Sequence, residues 1–280
     1  MARFDHIKLV VSDLDGTLLN RESLLSEANL QAVKALKNKG IYFTFATGRM
    51  DKMTWHYAEQ LEVELPIISC NGAMLRKRGE SEWFYRRTLP REAVLEIQRL
   101  CDPVNADYIF YGVDTVYPVE NSKRADSFRR YNKLAEQSGQ PLIKIIPLDQ
   151  LPDRLPSETI TKAFVIFPPG ESVDSDLGSA LTRIEGVEAV VSMHGATDIM
   201  PLGSSKGDAV AHIANELGIP MEQVCCLGDQ SNDISMLQQA GLAIGMRSGA
   251  VSIREHCDYF AEHFNCDGLG RALRQFFLQD

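Results

Sequence analysis

The chain has 280 residues, 44% of them hydrophobic and 24% charged, with a formal net charge of −9. That length allows one large domain or two smaller ones, and the acidic balance argues against nucleic acid or an anionic membrane as partner, since both call for a basic field. No stretch approaches the roughly 18 apolar residues of a membrane span, the opening MARFDHIK has no signal-peptide h-region, and six cysteines without CxxC or HxxxH spacing predict reduced, buried thiols in the cytoplasm instead of disulfides or a zinc site.

Ile7–Ser12 is a short apolar β-type run that stops on Asp13, Leu14, Asp15 and Gly16. Ser26 caps a helix running through Lys39, with Leu30, Val33 and Leu36 on one face and Gly40 as its stop. Ile41–Ala46 is the next strand, ending in Thr47-Gly48-Arg49, and a helical stretch follows to about Leu61. Pro66–Cys70 is a third strand, ending in Asn71-Gly72. This β-α-β-α-β order belongs to a parallel sheet with helices on its faces.

The middle of the chain reads differently. Trp83–Arg87 and Tyr108–Tyr117 are aromatic-rich strands, the second with a turn at Gly112, while Pro90–Leu100 and Ser127–Gln137 are helical and Thr161–Phe167 and Val187–Met193 are strands. The aromatics Phe84, Tyr85, Tyr108, Phe110, Tyr111 and Tyr117 read as core. Arg86, Arg87, Arg129, Arg130 and Lys133 read as solvated. His194 and Asp198 lie near the expected return from the insert. Beyond it the first pattern resumes: a helix over Lys206–Leu217, a strand over Gln223–Leu227 ending in Gly228-Asp229, a helix over Asp233–Ala240, strands at Leu242–Gly245 and Asp258–Ala261, and a terminal helix over 268–277. The expected fold is α/β: a doubly wound, mostly parallel Rossmann-like core of residues 1–82 and 196–280, carrying an inserted α+β cap of residues 83–195.

Ligands of open parallel sheets bind beyond the carboxyl ends of the strands. Collecting the residues there gives Asp13, Asp15, Thr47, Asn71, Asp229, Asn232 and Asp233, joined by Lys206 at a helix start. Carboxylates crowded in one cleft repel unless a cation sits among them. Oxygen ligands without His or Cys point to Mg2+, which takes one or two carboxylates together with a substrate phosphate oxygen. The other groups suit the phosphate: the Lys206 ammonium, the Thr47 hydroxyl, and the backbone N–H groups of Leu14 and Gly48. Asn232 supplies an amide to the phosphate or positions Lys206. Asp13 is placed to attack phosphorus, giving an aspartyl-phosphate. Asp15 is placed to protonate the leaving alcohol and then to take a proton from the hydrolytic water. Bland alternatives stand beside these: Asp13 and Asp15 as turn residues, Thr47 as a helix N-cap, Asn71 as a left-handed turn former and Asp233 as a helix cap.

The stretch DLDGT from Asp13 to Thr17 resembles the first motif of the haloacid dehalogenase superfamily. FATGR, SSKGDA and GDQSND resemble its second, third and fourth. Asn71-Gly72, the long insert and DIMPLGSSKG are similar to the Cof-type branch, whose members carry a large α/β cap between the second and third motifs. The resemblance implies metal ligation by Asp13, by the main-chain carbonyl of Asp15 and by Asp229, with Asp233 supporting the metal from behind or through water. It implies phosphate binding by Thr47, Lys206 and Asn232. Arg49 and Asn71 are expected on the substrate's side. An aspartate at position 15 favours phosphate esters over haloacids, because a leaving alkoxide needs a proton. One departure stands out: an Asn-Ala pair is common in the family where this chain has Arg247-Ser248-Gly249, and Arg247 reads as a surface residue. The expected function is magnesium-dependent hydrolysis of small phosphorylated metabolites, sugar phosphates first. The alternatives are a phosphomutase or phosphotransferase on hexose phosphates and a non-catalytic phosphometabolite sensor. GxGxxG and GxxxxGK[ST] are both absent, which sets aside a dinucleotide enzyme and a P-loop kinase.

Overall fold

The computed structural model describes residues 4–193 and 195–278, so His194 falls outside the described residues. The chain begins with β1 (Leu9–Asp13), α1 (Glu27–Asn38), β2 (Tyr42–Ala46), a 3-10 turn at Asp51–Thr54, α2 (Trp55–Gln60), β3 (Ile67–Ser69) and β4 (Met74–Arg76). It continues with β5 (Tyr85–Arg86), α3 (Arg91–Cys101), β6 (Asp107–Tyr111), β7 (Thr115–Pro118), α4 (Lys123–Ser138), β8 (Lys144–Ile145), α5 (Leu151–Arg154), β9 (Lys162–Ile166), α6 (Asp176–Thr182), β10 (Val187–Met193) and β11 (Ala196–Pro201). It ends with α7 (Lys206–Glu216), β12 (Val224–Gly228), α8 (Ile234–Gln239), β13 (Leu242–Met246), β14 (Tyr259–Ala261) and α9 (Gly268–Phe277). Two compact units result: one of the residues up to Gly48, His56–Phe84 and those from Ser205 onward, the other of Arg49–Trp55 and Tyr85–Ser204.

In the first unit the strand order is β14-β13-β12-β1-β2-β3-β4. All neighbours are parallel except the β3–β4 hairpin. Central β1, LVVSD, is buried at every position, as a strand covered on both faces must be. Strands are added in one direction from β1 to β3 and in the other from β12 to β14. Because crossovers are right-handed, that reversal puts helices on both faces, and it opens a crevice at the carboxyl ends of β1 and β12. Helix α1 starts where expected, its N-cap Ser26 accepting from the Asn29 N–H at 3.2 Å. Asn29 Oδ1 in turn takes the Gly270 N–H at 2.8 Å and ties α1 to α9.

The second unit is a six-stranded sheet in the order β10-β11-β9-β6-β7-β8, antiparallel save for the β7–β8 pair. The β6–β7 hairpin turns at Gly112, whose N–H meets the Thr115 carbonyl at 2.8 Å. Helices α3 and α6 contribute to an apolar core that takes in Tyr108, Phe110, Tyr117, Ala163, Val165 and Ile199 from one sheet face. Of the aromatics expected in the core, Tyr108, Phe110, Tyr111 and Tyr117 are buried, whereas Phe84 is exposed. Residues 196–204, expected to reopen the core, lie in this unit instead: Asp198 pairs with Phe164 and Ile199 with Ala163. ATDIMP, over which the sequence reading places no strand, is buried at all six positions as strand β11. Among the described residues no helix is long and apolar enough to cross a membrane.

Candidate active site

Asp13 is the last residue of β1 and is 6% exposed. The chain then turns back, the N–H groups of Leu18 and Leu19 bonding to the Leu14 carbonyl at 3.1 and 2.9 Å. Gly16 sits at φ +85° inside this turn, and a β-carbon there would lie 2.3 Å from Asp229 Oδ2. The glycine of DLDGT therefore both permits the left-handed turn and leaves room for the carboxylate at the end of the neighbouring strand. That carboxylate accepts from Gln230 Nε2 at 3.1 Å and from the Thr17 hydroxyl at 3.4 Å.

Lys206 opens α7, behind the N-cap Ser205, and is 1% exposed. Its ammonium lies 2.6 Å from Asp13 Oδ1 and 2.6 Å from Asp233 Oδ1. Asp233 Oδ2 accepts the backbone N–H groups of Asp229 at 2.8 Å and Gln230 at 2.9 Å. One carboxylate thus holds the turn after β12 and the lysine together. Burial works to push the Lys206 pKa down, but Asp13 and Asp233 outweigh it and hold the ammonium above its usual range. Burial lifts the Asp13 carboxyl well above the usual carboxylate range; Lys206 opposes this, and the charges of Asp233, Asp229 and Asp15 add to it. Burial, with Asp233 next, pushes Asp229 up to about 7. Asp13, Asp229 and Asp233 offer oxygens all within 4.8 Å of one another. Among the described residues Asp229 has neutral donors but no ion-pair partner.

The remaining expected residues sort themselves. Thr47 follows β2 and is 1% exposed; its N–H bonds to the Ile68 carbonyl at 2.8 Å and its carbonyl takes the Asn71 N–H at 2.9 Å. The next helical turn has Met50 as its N-cap. A β-carbon on Gly48 would stand 3.0 Å from Asn71 Oδ1. Asn232 does not reach Lys206: its Nδ2 donates to Asn71 Oδ1 at 3.1 Å. The Asp15 side chain is exposed, and the acidic cluster takes in Asp233 in its place. Arg49 belongs to the second unit. Arg247 is exposed, with Glu262 at 3.7 Å. Sequence reading missed Thr17 and Gln230 as partners of Asp229, although both stand within the motifs quoted.

The turn after β3 is strained. Cys70 and Asn71 have φ +48° and +54°, and Gly72 has φ +100°, so two non-glycine residues in succession adopt the left-handed region. A β-carbon on Gly72 would lie 2.1 Å from the Ser205 carbonyl oxygen, so the turn packs directly on the helix start that bears Lys206. Gly72→Ala is expected to destabilise the protein by more than about 1 kcal/mol, measurable as a lowered urea midpoint at unchanged slope.

The sheet with its crevice at β1 and β12, and the carboxylates around a buried lysine, define a hydrolase: residues 10–273 match the haloacid dehalogenase-like hydrolase family, and the chain belongs to it, in the Cof-type branch. It is similar to two 5-amino-6-(5-phospho-D-ribitylamino)uracil phosphatases of Bacillus subtilis. YitU is 24% identical over 279 residues, covering 96% of this chain and 97% of the relative. YcsE is 26% identical over 275 residues, covering 97% and 96%. A haloacid dehalogenase-like hydrolase of known structure from B. subtilis superposes with a TM-score of 0.83 at 22% identity, over 97% of this chain and all of the other.

Proposed function

We propose that the protein is a magnesium-dependent phosphatase that hydrolyses small phosphorylated metabolites, sugar phosphates foremost, through an aspartyl-phosphate. The observation that carries the reading is the buried Lys206 ammonium 2.6 Å from Asp13 Oδ1, at the carboxyl end of the central strand. It orients a carboxylate nucleophile and leaves a cation beside it to draw in an anionic substrate. The relatives' names support the substrate class: YitU and YcsE are named for removing phosphate from a ribityl chain, a polyhydroxylated carbon chain like that of a sugar.

Asp13 attacks phosphorus as the bond to the leaving oxygen breaks. Asp15 gives that oxygen its proton, then takes one from a water that attacks the phosphorus and frees Asp13. An exposed carboxyl suits this exchange of protons. Thr47, Lys206, Asn232 and the N–H groups of Leu14 and Gly48 hold the phosphate, with Asn71 on the substrate's side. The donor set fits magnesium: among the described residues the buried Asp229 carboxylate has no ion-pair partner, and carboxylate oxygens are hard ligands. Asp13, Asp229 and the Asp15 carbonyl would hold the ion, and Asp233, its oxygens engaged by Lys206 and two N–H groups, supports them from behind. When bound, magnesium supplies positive charge that screens Asp13 from the phosphate and steadies the transferring group. All six cysteines are free, four of them buried, while Cys257 is half-buried and Cys266 exposed where the sequence predicts buried thiols; free thiols support a reducing, cytoplasmic setting.

The test is phosphate release from a panel of phosphomonoesters, with magnesium and with EDTA. Magnesium-dependent release is expected. Isomerisation of a hexose 1-phosphate without free phosphate would make the protein a mutase, and binding without turnover on any ester would make it a sensor.

A further inference from the structure

In the second unit the sheet face opposite the apolar core carries charge. Lys162 on β9 and Asp198 on β11 are 1% and 2% exposed and pair at 2.6 Å. A buried ion pair is weak evidence for stability, because desolvation offsets the attraction, so its presence asks for another reason. Its neighbours supply one. The Lys162 ammonium lies 4.6 Å from the Tyr111 ring centroid, Tyr111 Oη accepts from Arg124 Nε at 3.0 Å, and the Arg124 guanidinium lies over Phe164 at 4.7 Å. The ladder sets Lys162 opposite Tyr111 and Phe164 opposite Asp198, so these side chains share one face.

Arg124 is held but not neutralised. Among the described residues its guanidinium makes that one hydrogen bond, to the Tyr111 hydroxyl, and no ion pair. Both terminal nitrogens are left without a protein acceptor. It stands in the first turn of α4, where the helix dipole disfavours a cation, and Arg49 of the same unit is near enough for its charge to work against that of Arg124. The nearby carboxylate, Asp198, is already paired with Lys162. A half-buried guanidinium stacked on an aromatic ring, with its outer fork open, is the geometry that takes a carboxylate or phosphate through two parallel hydrogen bonds.

We propose that Arg124 is the centre of an anion-binding site in the inserted unit, taking a carboxylate or phosphate group of a small molecule. Phe164 and Tyr111 fix the guanidinium plane, and the Lys162–Asp198 pair braces Tyr111 from below. The anion is a free one, and the inference stands independently of the phosphatase reading.

The experiment measures malonate binding by calorimetry on the full chain as wild type, Arg124→Met and Arg124→Lys, with thermal melts to show that each variant is folded. Wild-type binding that weakens about tenfold or more in Arg124→Met, and is only partly kept in Arg124→Lys, is the expected result. If the wild type does not bind malonate, or if folded Arg124→Met binds it as well as the wild type does, the proposal is wrong. The readout does not depend on turnover, so a failure of the phosphatase reading shows separately, as no release of phosphate from any ester.

Discussion

Asp13→Asn is expected to abolish phosphate release, by at least about a thousandfold, while leaving the metal-free protein no less stable and, at alkaline pH, more stable. The two effects share one cause. Asp13 and Asp229 are buried close together, and both carboxyls are held above their usual range. Unfolded carboxylates titrate near 4, about their unperturbed value. Between that pH and the folded values, which for Asp229 is about 7, the folded protein binds more protons than the unfolded one. Its stability must therefore fall as pH rises through the window. In EDTA the wild-type melting temperature should drop from pH 5 to pH 8. Asp13→Asn removes one of the repelling charges yet keeps an oxygen for Lys206, so its drop should be shallower. Magnesium in the site should flatten the wild-type slope. Turnover persisting in Asp13→Asn would mean that another group attacks phosphorus, and a rise in wild-type stability toward pH 8 in EDTA would contradict the electrostatics.

Lys206→Met should act in the opposite sense on stability. It leaves Asp13 and Asp233 buried with no cation, where each now has the ammonium at 2.6 Å. Breaking a buried pair from one side costs about 3–5 kcal/mol, read as a fall in the urea midpoint, and the loss should shrink on acidification as the carboxyls protonate. Turnover should fall with it. Lys206→Arg should not restore either property, because a planar fork does not fit a point charge's enclosed site between two single oxygens. A Lys206→Met protein as stable as wild type in EDTA would show that the bridge contributes nothing without metal.

Much of this was legible in the sequence, and the pattern of hits has a physical basis. The strand ends carry chemistry that cannot be hidden: paired aspartates after an apolar run, or GD before a helix, oppose local propensity and so announce themselves. Helix α1 was readable because its cap, its apolar face and its stop all agree. The misses lie where tertiary pairing decides. Strand β11 was overlooked because its only justification is pairing with β9 and β10. The hairpin strand β4 follows a strained turn in which Asn71 and Gly72 suit the left-handed region but Cys70, at φ +48°, does not. The bond from Asn232 to Asn71 joins residues 161 positions apart, and Asp233, a plausible helix cap, turned out to hold two backbone N–H groups and Lys206 at once.

The pairing of β1 with β12 also bears on how the molecule is made. Leu9–Ser12 hydrogen-bonds to Val224–Leu227, so the central strand leaves the ribosome long before its partner exists. At usual elongation rates that interval is on the order of ten to forty seconds. The sheet of the second unit is encoded almost without interruption within it and can close first. Through that time β1 is an apolar ribbon with one edge unclaimed. Until β12 emerges, nothing in the finished fold protects that edge from pairing with a neighbouring chain.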